Sequence, residues 1–168
     1  MNCAKNNQSD HNGAASGGIC IVGFGNRQRR DDGIGPFVVE RLKAMNTMPE
    51  KLKFMVAPQL TLDLIDDLRS VDAIFFVDAT ISPLEKGWRF EKIVAESRMS
   101  HFQTHHLRPA FLMGLLETLC NRKPKAMLVS VQGEDFGFGE GVTTLARERV
   151  DDAVSQIVEA VLRIHEKE

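Results

Sequence analysis

Two aspartates and one histidine in this sequence have types and positions that suit a metal-binding site. Asp32 lies in a glycine-rich loop, Asp78 directly follows an apolar run, and His105 precedes a leucine-rich segment. Two carboxylates and one imidazole suit a borderline divalent ion such as nickel, cobalt or zinc. Three protein ligands leave coordination positions free for a second molecule. The set therefore predicts an open, weak or transient metal site.

Each of these residues also has an ordinary structural interpretation. An acid pair such as Asp31 and Asp32, placed before a glycine, commonly supplies a helix N-cap and a solvated neighbour. Asp78 could cap the turn that follows it, and His105 could make a polar contact at a helix start. His106 is adjacent to His105 and could compete with it. The residue types alone leave these alternatives open.

The glycine-rich loop around Asp32, residues 23–35, invites comparison with a dinucleotide-binding fingerprint. The position of the third glycine in that fingerprint is occupied here by Gln28, and no helix is expected directly after it. A nucleotide-binding loop is therefore disfavoured. No serine lies in a GxSxG elbow and no cysteine has a context that suggests activation, so covalent catalysis is not expected either.

Composition limits the classes of partner. The chain has 168 residues, 43% of them hydrophobic, and a formal net charge of −2, so no overall basic field exists to hold nucleic acid or an acidic membrane surface. No apolar run is long enough to span a bilayer, and the N-terminus lacks a signal-peptide centre. Residues 1–17 are predicted to form a disordered leader, and residues 18–168 a single domain that is expected to be a monomer.

The cysteines indicate a reducing compartment, the cytoplasm. Cys3, Cys20 and Cys120 are odd in number and far apart, and they form no CxxC pair or zinc spacing. They are best explained as reduced thiols in a cytoplasmic protein. Because no thiolate joins the two acids and the histidine, a structural zinc site is disfavoured.

The elements that must position the three residues follow from apolar periodicity. Strands are predicted at residues 18–23, 51–56, 73–77, 88–96 and 126–131, and helices at 33–45, after Thr61 as a candidate N-cap, at 106–119 and at 142–164. This alternation predicts an α/β fold, a three-layer α/β/α sandwich around a mostly parallel twisted sheet of about five strands. Ligands in such folds bind outside the carboxyl ends of the strands, so Asp32 and Asp78 are expected at one edge.

Four motifs in this order resemble those of the hydrogenase maturation endopeptidases, the family that trims a C-terminal extension from the nickel-containing large subunit of [NiFe] hydrogenases. The motifs are Ile21-Val22-Gly23-Phe24-Gly25-Asn26 with Asp31-Asp32-Gly33-Ile34-Gly35, the strand end Asp78-Ala79-Thr80, His105 before a leucine-rich helix, and the segment Gly133-Glu134-Asp135-Phe136-Gly137-Phe138-Gly139-Glu140-Gly141. The resemblance covers nearly everything from Gly18 to the terminal helix.

The resemblance implies a function and a set of site residues. It implies that Asp32, Asp78 and His105 contact nickel already installed in the large-subunit precursor, and that the enzyme then cuts the peptide bond after the precursor's last cysteine motif. Nickel is then a feature of the substrate, and the same three residues serve the chemistry. Contacts with the substrate are expected from Gly25, Asn26, Arg30 and Gln59.

One departure from the family concerns the loop before Asp32. Arg27, Gln28, Arg29 and Arg30 make this loop strongly cationic where family members often have apolar residues. Such a loop could attract acidic residues of a partner, or it could simply be solvated. Two other functions remain open at this point. The protein could be a nickel-dependent chaperone or checkpoint that inspects the precursor without cutting it, or a stand-alone metallohydrolase.

Overall fold

A computed structural model of the protein describes residues 17–49, 51–96 and 107–166. The described residues form five strands and four α-helices in the predicted order. The strands are β1 (Ile19–Phe24), β2 (Leu52–Ala57), β3 (Ala73–Thr80), β4 (Trp88–Lys92) and β5 (Lys125–Gln132), and the helices are α1 (Ile34–Lys43), α2 (Leu64–Leu68), α3 (Pro109–Cys120) and α4 (Thr144–His165). A short 3₁₀ helix, Arg30–Gly33, precedes α1 and is called here the acidic turn.

The strands form one mixed sheet in the order β2-β1-β3-β5-β4. All neighbours pair in parallel except β4, which lies antiparallel to β5 at one edge. Helices α1 and α4 cover one face of the sheet, and α2 and α3 cover the other. The predicted α/β/α sandwich is therefore confirmed. The chain moves from β1 outward to β2 and then back past β1 to β3, so the topological switch point lies between β1 and β3.

Side-chain alternation along β3 shows which face carries the candidate site. Phe75 and Val77 pack into the core beneath α1 and α4, whereas Ile74 and Phe76 pack into the core beneath α2 and α3. Because successive strand residues point to opposite faces, Asp78 lies on the side of Phe76. Each fully buried phenylalanine contributes about 1.5–3 kcal/mol, so β3 is held firmly up to the position of Asp78.

Some predicted boundaries were wrong. Strand β3 does not end before Asp78 but continues to Thr80, because the backbone ladder with β5 runs on through the pairs Asp78–Ser130 and Thr80–Gln132. Thr61 is not the N-cap of α2, which begins at Leu64 with no side-chain cap. The predicted fourth strand is shorter, ending at Lys92. Polarity changes marked the predicted ends, but hydrogen-bond ladders set the real ones.

Several predictions fall partly or wholly outside the described residues. They are His105, His106 and residues 1–16 of the predicted leader. Gly17, the last residue of that leader, is described and buried, and its N–H donates to the Asp72 carboxylate at 2.9 Å. None of the helices in the described part of the chain has the length and apolar character needed to cross a membrane.

Candidate functional site

A cavity of about 320 Å³ opens at the carboxyl ends of β1 and β3, at the topological switch point. Asp32 and Asp78 both line it, as the sequence predicts. The full lining set is Phe24, Gly25, Asp32, Pro58, Gln59, Leu60, Asp78, Ala79, Leu107, Arg108, Pro109 and Leu128. The two carboxylates therefore face a mainly apolar, open pocket, where charges interact more strongly than they do in water.

Asp32 is held by the loop that leaves β1. Its Oδ2 accepts a hydrogen bond from the Asn26 N–H at 3.0 Å, and its own N–H donates to the Arg29 carbonyl at 3.0 Å. The Asn26 side chain in turn accepts from the Gln28 N–H at 2.9 Å, which folds the loop into an Asx turn. Asn26 thus positions Asp32 through its backbone while its side chain shapes the loop.

Gly25 is required by the close approach of two backbone segments. Its φ of 135° is rarely adopted by residues with a side chain, and a Cβ there would lie 1.9 Å from the carbonyl oxygen of Asp32. Its N–H donates to the Ala57 carbonyl at 3.1 Å, so it also links β1 to the loop that carries Gln59. Gly25 therefore allows the acidic turn to approach the strand ends.

Gly35 brings the start of α1 equally close to the sheet. A Cβ at this position would lie 2.4 Å from the Phe24 carbonyl oxygen and 2.5 Å from that of Val77. The first turn of α1 is therefore packed against β1 and β3 at their carboxyl ends. The acidic turn directly precedes α1. This packing therefore places the turn beside Asp78, which follows Val77 in β3.

Asp78 is partly buried and electrostatically perturbed. Burial raises the pKa of its carboxyl to about 7 from an ordinary value of 3.8, and the charge of Asp32 raises it further, against a hydrogen bond from the Ala79 N–H that lowers it. Asp78 can therefore exchange a proton near neutral pH, as a general base must. A cation bound between the two carboxylates would favour the ionised form.

Asp31 has a function that the sequence interpretation missed. It is fully buried, and its carboxylate accepts hydrogen bonds from the N–H groups of Glu134 (2.7 Å), Asp135 (3.0 Å) and Thr143 (2.7 Å) and from the Thr143 hydroxyl (2.8 Å). Burial acts to raise the pKa of Asp31, but these hydrogen bonds together outweigh it and lower the pKa. The ionised carboxylate ties the acidic turn to residues 133–143.

Asp31 and Asp32 do not act as a helix N-cap and a solvated neighbour, which is the ordinary interpretation of such an acid pair. The N-cap of α1 is Gly33, which makes no side-chain capping bond, and Asp31 is not solvated. The partners of Asp31 lie more than 100 positions away in sequence. The signal that could have found them is the glycine-rich segment before α4, since its backbone N–H groups need an acceptor. The turn after β3 is closed by Thr80, which accepts from the Ser82 N–H, rather than by Asp78.

The remaining predicted contacts divide between two places. Gly25 and Gln59 line the cavity. Arg30 instead lies in a separate groove of about 300 Å³ bordered by α1 and the start of α4, where it pairs with Asp135 at 3.2 Å. The structure therefore brings Gly25 and Gln59 to the acid pair and places Arg30 on the other side of the acidic turn.

The third member of the predicted trio, His105, lies outside the described residues. Leu107 and Arg108, which follow it closely in sequence, line the cavity. Within the described ranges, no group of three or more His, Cys, Asp or Glu side chains is arranged to hold a metal ion. The described part of the site therefore contributes a pair of carboxylates, Asp32 and Asp78.

Comparisons with known proteins agree with this geometry. A family model described as HycI, hydrogenase maturation protease, matches residues 36–164. A putative hydrogenase maturation protease of Methanocaldococcus jannaschii is 29% identical over 152 residues, covering 86% of this chain and 94% of that protein.

Solved structures show the same fold at low sequence identity. The hydrogenase maturating endopeptidase HybD from Escherichia coli superposes with a TM-score of 0.70 at 20% identity, covering 87% of this chain and 93% of that one. The [NiFe] hydrogenase maturation protease HycI from Thermococcus kodakarensis gives a TM-score of 0.65 at 24% identity, covering 88% and 94%.

Proposed function

The chain belongs to the hydrogenase maturation protease family, and we propose that it removes the C-terminal extension of a nickel-loaded [NiFe] hydrogenase large-subunit precursor. The observation that carries this proposal is the meeting of Asp32, from the acidic turn, and Asp78, from the end of β3, in one open cavity. The cavity is accessible to a peptide segment, and its two acids suit a divalent cation.

Nickel enters this proposal as part of the substrate. Asp32, Asp78 and His105 complete the coordination of an ion that the precursor's cysteines already hold, so the protein itself needs only a partial ligand set. Two carboxylates and an imidazole are weak competitors for thiolate-bound nickel, which suits recognition without extraction. Binding through the metal would place the scissile peptide bond beside the carboxylates, where positioning lowers the barrier.

Hydrolysis then requires an activated water. The substrate's nickel polarises the scissile carbonyl or a bound water, and a carboxylate of the trio is the first candidate for the general base. Asp32 is held in place by the Asn26 N–H, which donates to its carboxylate at 3.0 Å. Gly25 and Gln59 contact the substrate chain in the cavity. Asn26 shapes the loop that carries Asp32, and Arg30 lies in the groove on the other side of the acidic turn.

The decisive experiment measures the mass of the precursor's C-terminus after incubation with the protein. Loss of a C-terminal fragment from the nickel-loaded precursor supports the proposal. Tight binding with an unchanged mass would support a chaperone or checkpoint, and tight metal binding by the isolated protein with activity on short peptides would support a metallohydrolase. The same assay with His105→Ala tests the third ligand, because full processing by that variant would exclude it. We also propose that the protein acts as a monomer in the cytoplasm.

A further inference from the structure

The segment Gly133–Gly141, which the sequence marked as a motif, carries an exposed aromatic residue beside the acidic turn. Phe138 is 88% exposed, more than any other large apolar side chain in the described part of the chain, and it stands between Gly137 and Gly139. No core cluster includes it. The fold therefore gains little from this side chain, although its loop is closely tied to the site.

The loop that carries Phe138 is held rigidly against the acidic turn. The Arg30 N–H donates to the Gly139 carbonyl at 3.0 Å, the Gly139 N–H donates to the Gln28 carbonyl at 2.9 Å, and the Asp31 N–H donates to the Asp135 carbonyl at 3.0 Å. The carboxylate of Asp31 adds its bonds from the other side of the turn. Binding of a partner to Phe138 would therefore lose little conformational entropy, because the backbone of this loop is already ordered.

A cation that no described carboxylate pairs with lies against the loop of Phe138, since Arg29 forms a β-bridge with Gly139. Arg27 pairs with Glu40 at 2.6 Å and Arg30 pairs with Asp135 at 3.2 Å. The Arg29 guanidinium, by contrast, donates to the Phe136 carbonyl at 3.2 Å and has no carboxylate partner among the described residues. The surface thus combines one exposed aromatic ring with one guanidinium that pairs with no carboxylate in the described ranges, on a chain whose net charge is negative.

We propose that Arg29 and Phe138, together named here the docking platform, bind the folded body of the precursor, which presents an apolar pocket bordered by carboxylates. Aromatic and arginine side chains are enriched at the energetic centres of protein interfaces, and one uncompensated cation is too little charge to hold nucleic acid or a lipid surface. The proposal rests on the proposed function and adds a second point of contact to it.

The position of the platform explains why docking there would serve cleavage. Arg29 immediately precedes the acidic turn, and its carbonyl accepts the N–H of Asp32. A precursor held by the platform on one side of this turn can extend its C-terminal segment into the cavity on the other side. Two linked contacts raise the effective concentration of the segment at the acids.

The test compares Phe138→Ala and Arg29→Glu with matched controls. Leu119→Ala removes another exposed apolar side chain, 68% exposed, at the far end of α3, and Arg163→Glu reverses a charge near the far end of α4, which is about 33 Å long. Binding of the nickel-loaded precursor is measured by calorimetry, cleavage by mass, and folding by thermal unfolding.

The expected result is a rise of at least about tenfold in both Kd and KM for Phe138→Ala, with kcat and the melting temperature unchanged. Arg29→Glu should weaken binding mainly at low salt, and both controls should stay within twofold of the parent. Kd and KM within twofold for Phe138→Ala would overturn the platform. If the parent binds the precursor without cutting it and the variant binds more weakly, the platform stands and the proposed cleavage fails.

Discussion

Asp31 and Asp32 are neighbours in sequence but lie in opposite environments on the two sides of the acidic turn. Asp31 is fully buried, and four donors from Glu134, Asp135 and Thr143 occupy its oxygens. Asp32 faces the cavity and accepts a hydrogen bond from the Asn26 N–H at one of its oxygens. One carboxylate is enclosed by donors within the fold, and the other lines an open cavity.

This contrast shows how one turn can join stability to function. A buried carboxylate is costly unless donors surround it, and the donors of Asp31 come from the loop that carries Phe138. The same bonds that satisfy Asp31 therefore fix the backbone of Asp32 and the docking platform together. Identical substitutions at the two positions should have opposite consequences for stability and activity.

The largest effect is expected from Asp32→Asn. An amide is a poor ligand for a divalent cation and carries no charge, so processing of a nickel-loaded precursor should fall at least about 100-fold. Stability should change by less than about 1 kcal/mol, since the amide oxygen can still accept from Asn26. Rates by mass spectrometry and urea unfolding measure the two quantities. Processing at the parental rate would remove Asp32 from the site.

Asp31→Asn should behave in the reverse manner. The substitution keeps the shape but turns a donor group toward the N–H groups of residues 134, 135 and 143, so the free energy of unfolding should fall by about 3 kcal/mol. Urea unfolding at pH 7 checks this, with Asp32→Asn as the matched control. Equal stability of the two variants would contradict the assigned difference between the two carboxylates.

Gly25→Ala tests whether the cavity side depends on a close backbone approach. The added Cβ would lie 1.9 Å from the Asp32 carbonyl oxygen, at a φ that side chains rarely adopt, so a loss of about 2 kcal/mol and of processing is expected. Gly25→Val should be worse. Gly137→Ala, in the loop on the other side of the turn and with a nearest neighbour at 3.0 Å, provides a milder control. Parental activity of Gly25→Ala would make this glycine a simple turn residue.

Asp78→Asn should be more stable than the parent at high pH. The folded pKa of Asp78 is about 7 and the ordinary value is 3.8, so between these values the unfolded chain ionises while the folded carboxyl keeps its proton. Stability of the parent therefore falls as pH rises from about 4 to about 7, then stays level.

Because the amide cannot ionise, Asp78→Asn escapes this loss, and its advantage should be about 4 kcal/mol at pH 8 and below about 1 kcal/mol at pH 4. Unfolding at both pH values measures it. Asp31 should produce the opposite trend, because folding lowers the pKa of its carboxyl. The ionised carboxylate therefore stabilises the fold at pH values above its unfolded pKa, and this stabilisation is lost as the pH falls through the folded pKa. An advantage of Asp78→Asn that is the same at pH 4 and pH 8 would show that folding does not raise the pKa of the Asp78 carboxyl.

Much of the cavity side could be predicted from the sequence. Apolar runs identified β1 and β3, and the rule that ligands bind at carboxyl strand ends brought Asp32 and Asp78 together. The glycine at position 25 was recognisable as a turn residue. These features depend on local patterns and on general rules of sheet topology, which a single sequence displays.

The platform side could not be predicted in the same way. The bonds of Asp31 join residues more than 100 positions apart, and no periodicity connects an acid in one loop with N–H groups in another. Arg30 was expected to contact the substrate, and no local pattern indicated that its φ of 43° and its pairing with Asp135 would place it in the other groove. Side-chain direction within irregular loops depends on such long-range contacts.

The central claim is tested most directly by incubating the protein with nickel-loaded and nickel-free precursor in parallel and measuring the mass of each product. The account predicts that the nickel-loaded precursor alone loses its C-terminal extension, and that Asp32→Asn leaves it intact. An unchanged mass with the parent protein, or equal cleavage of the nickel-free precursor, would contradict the account.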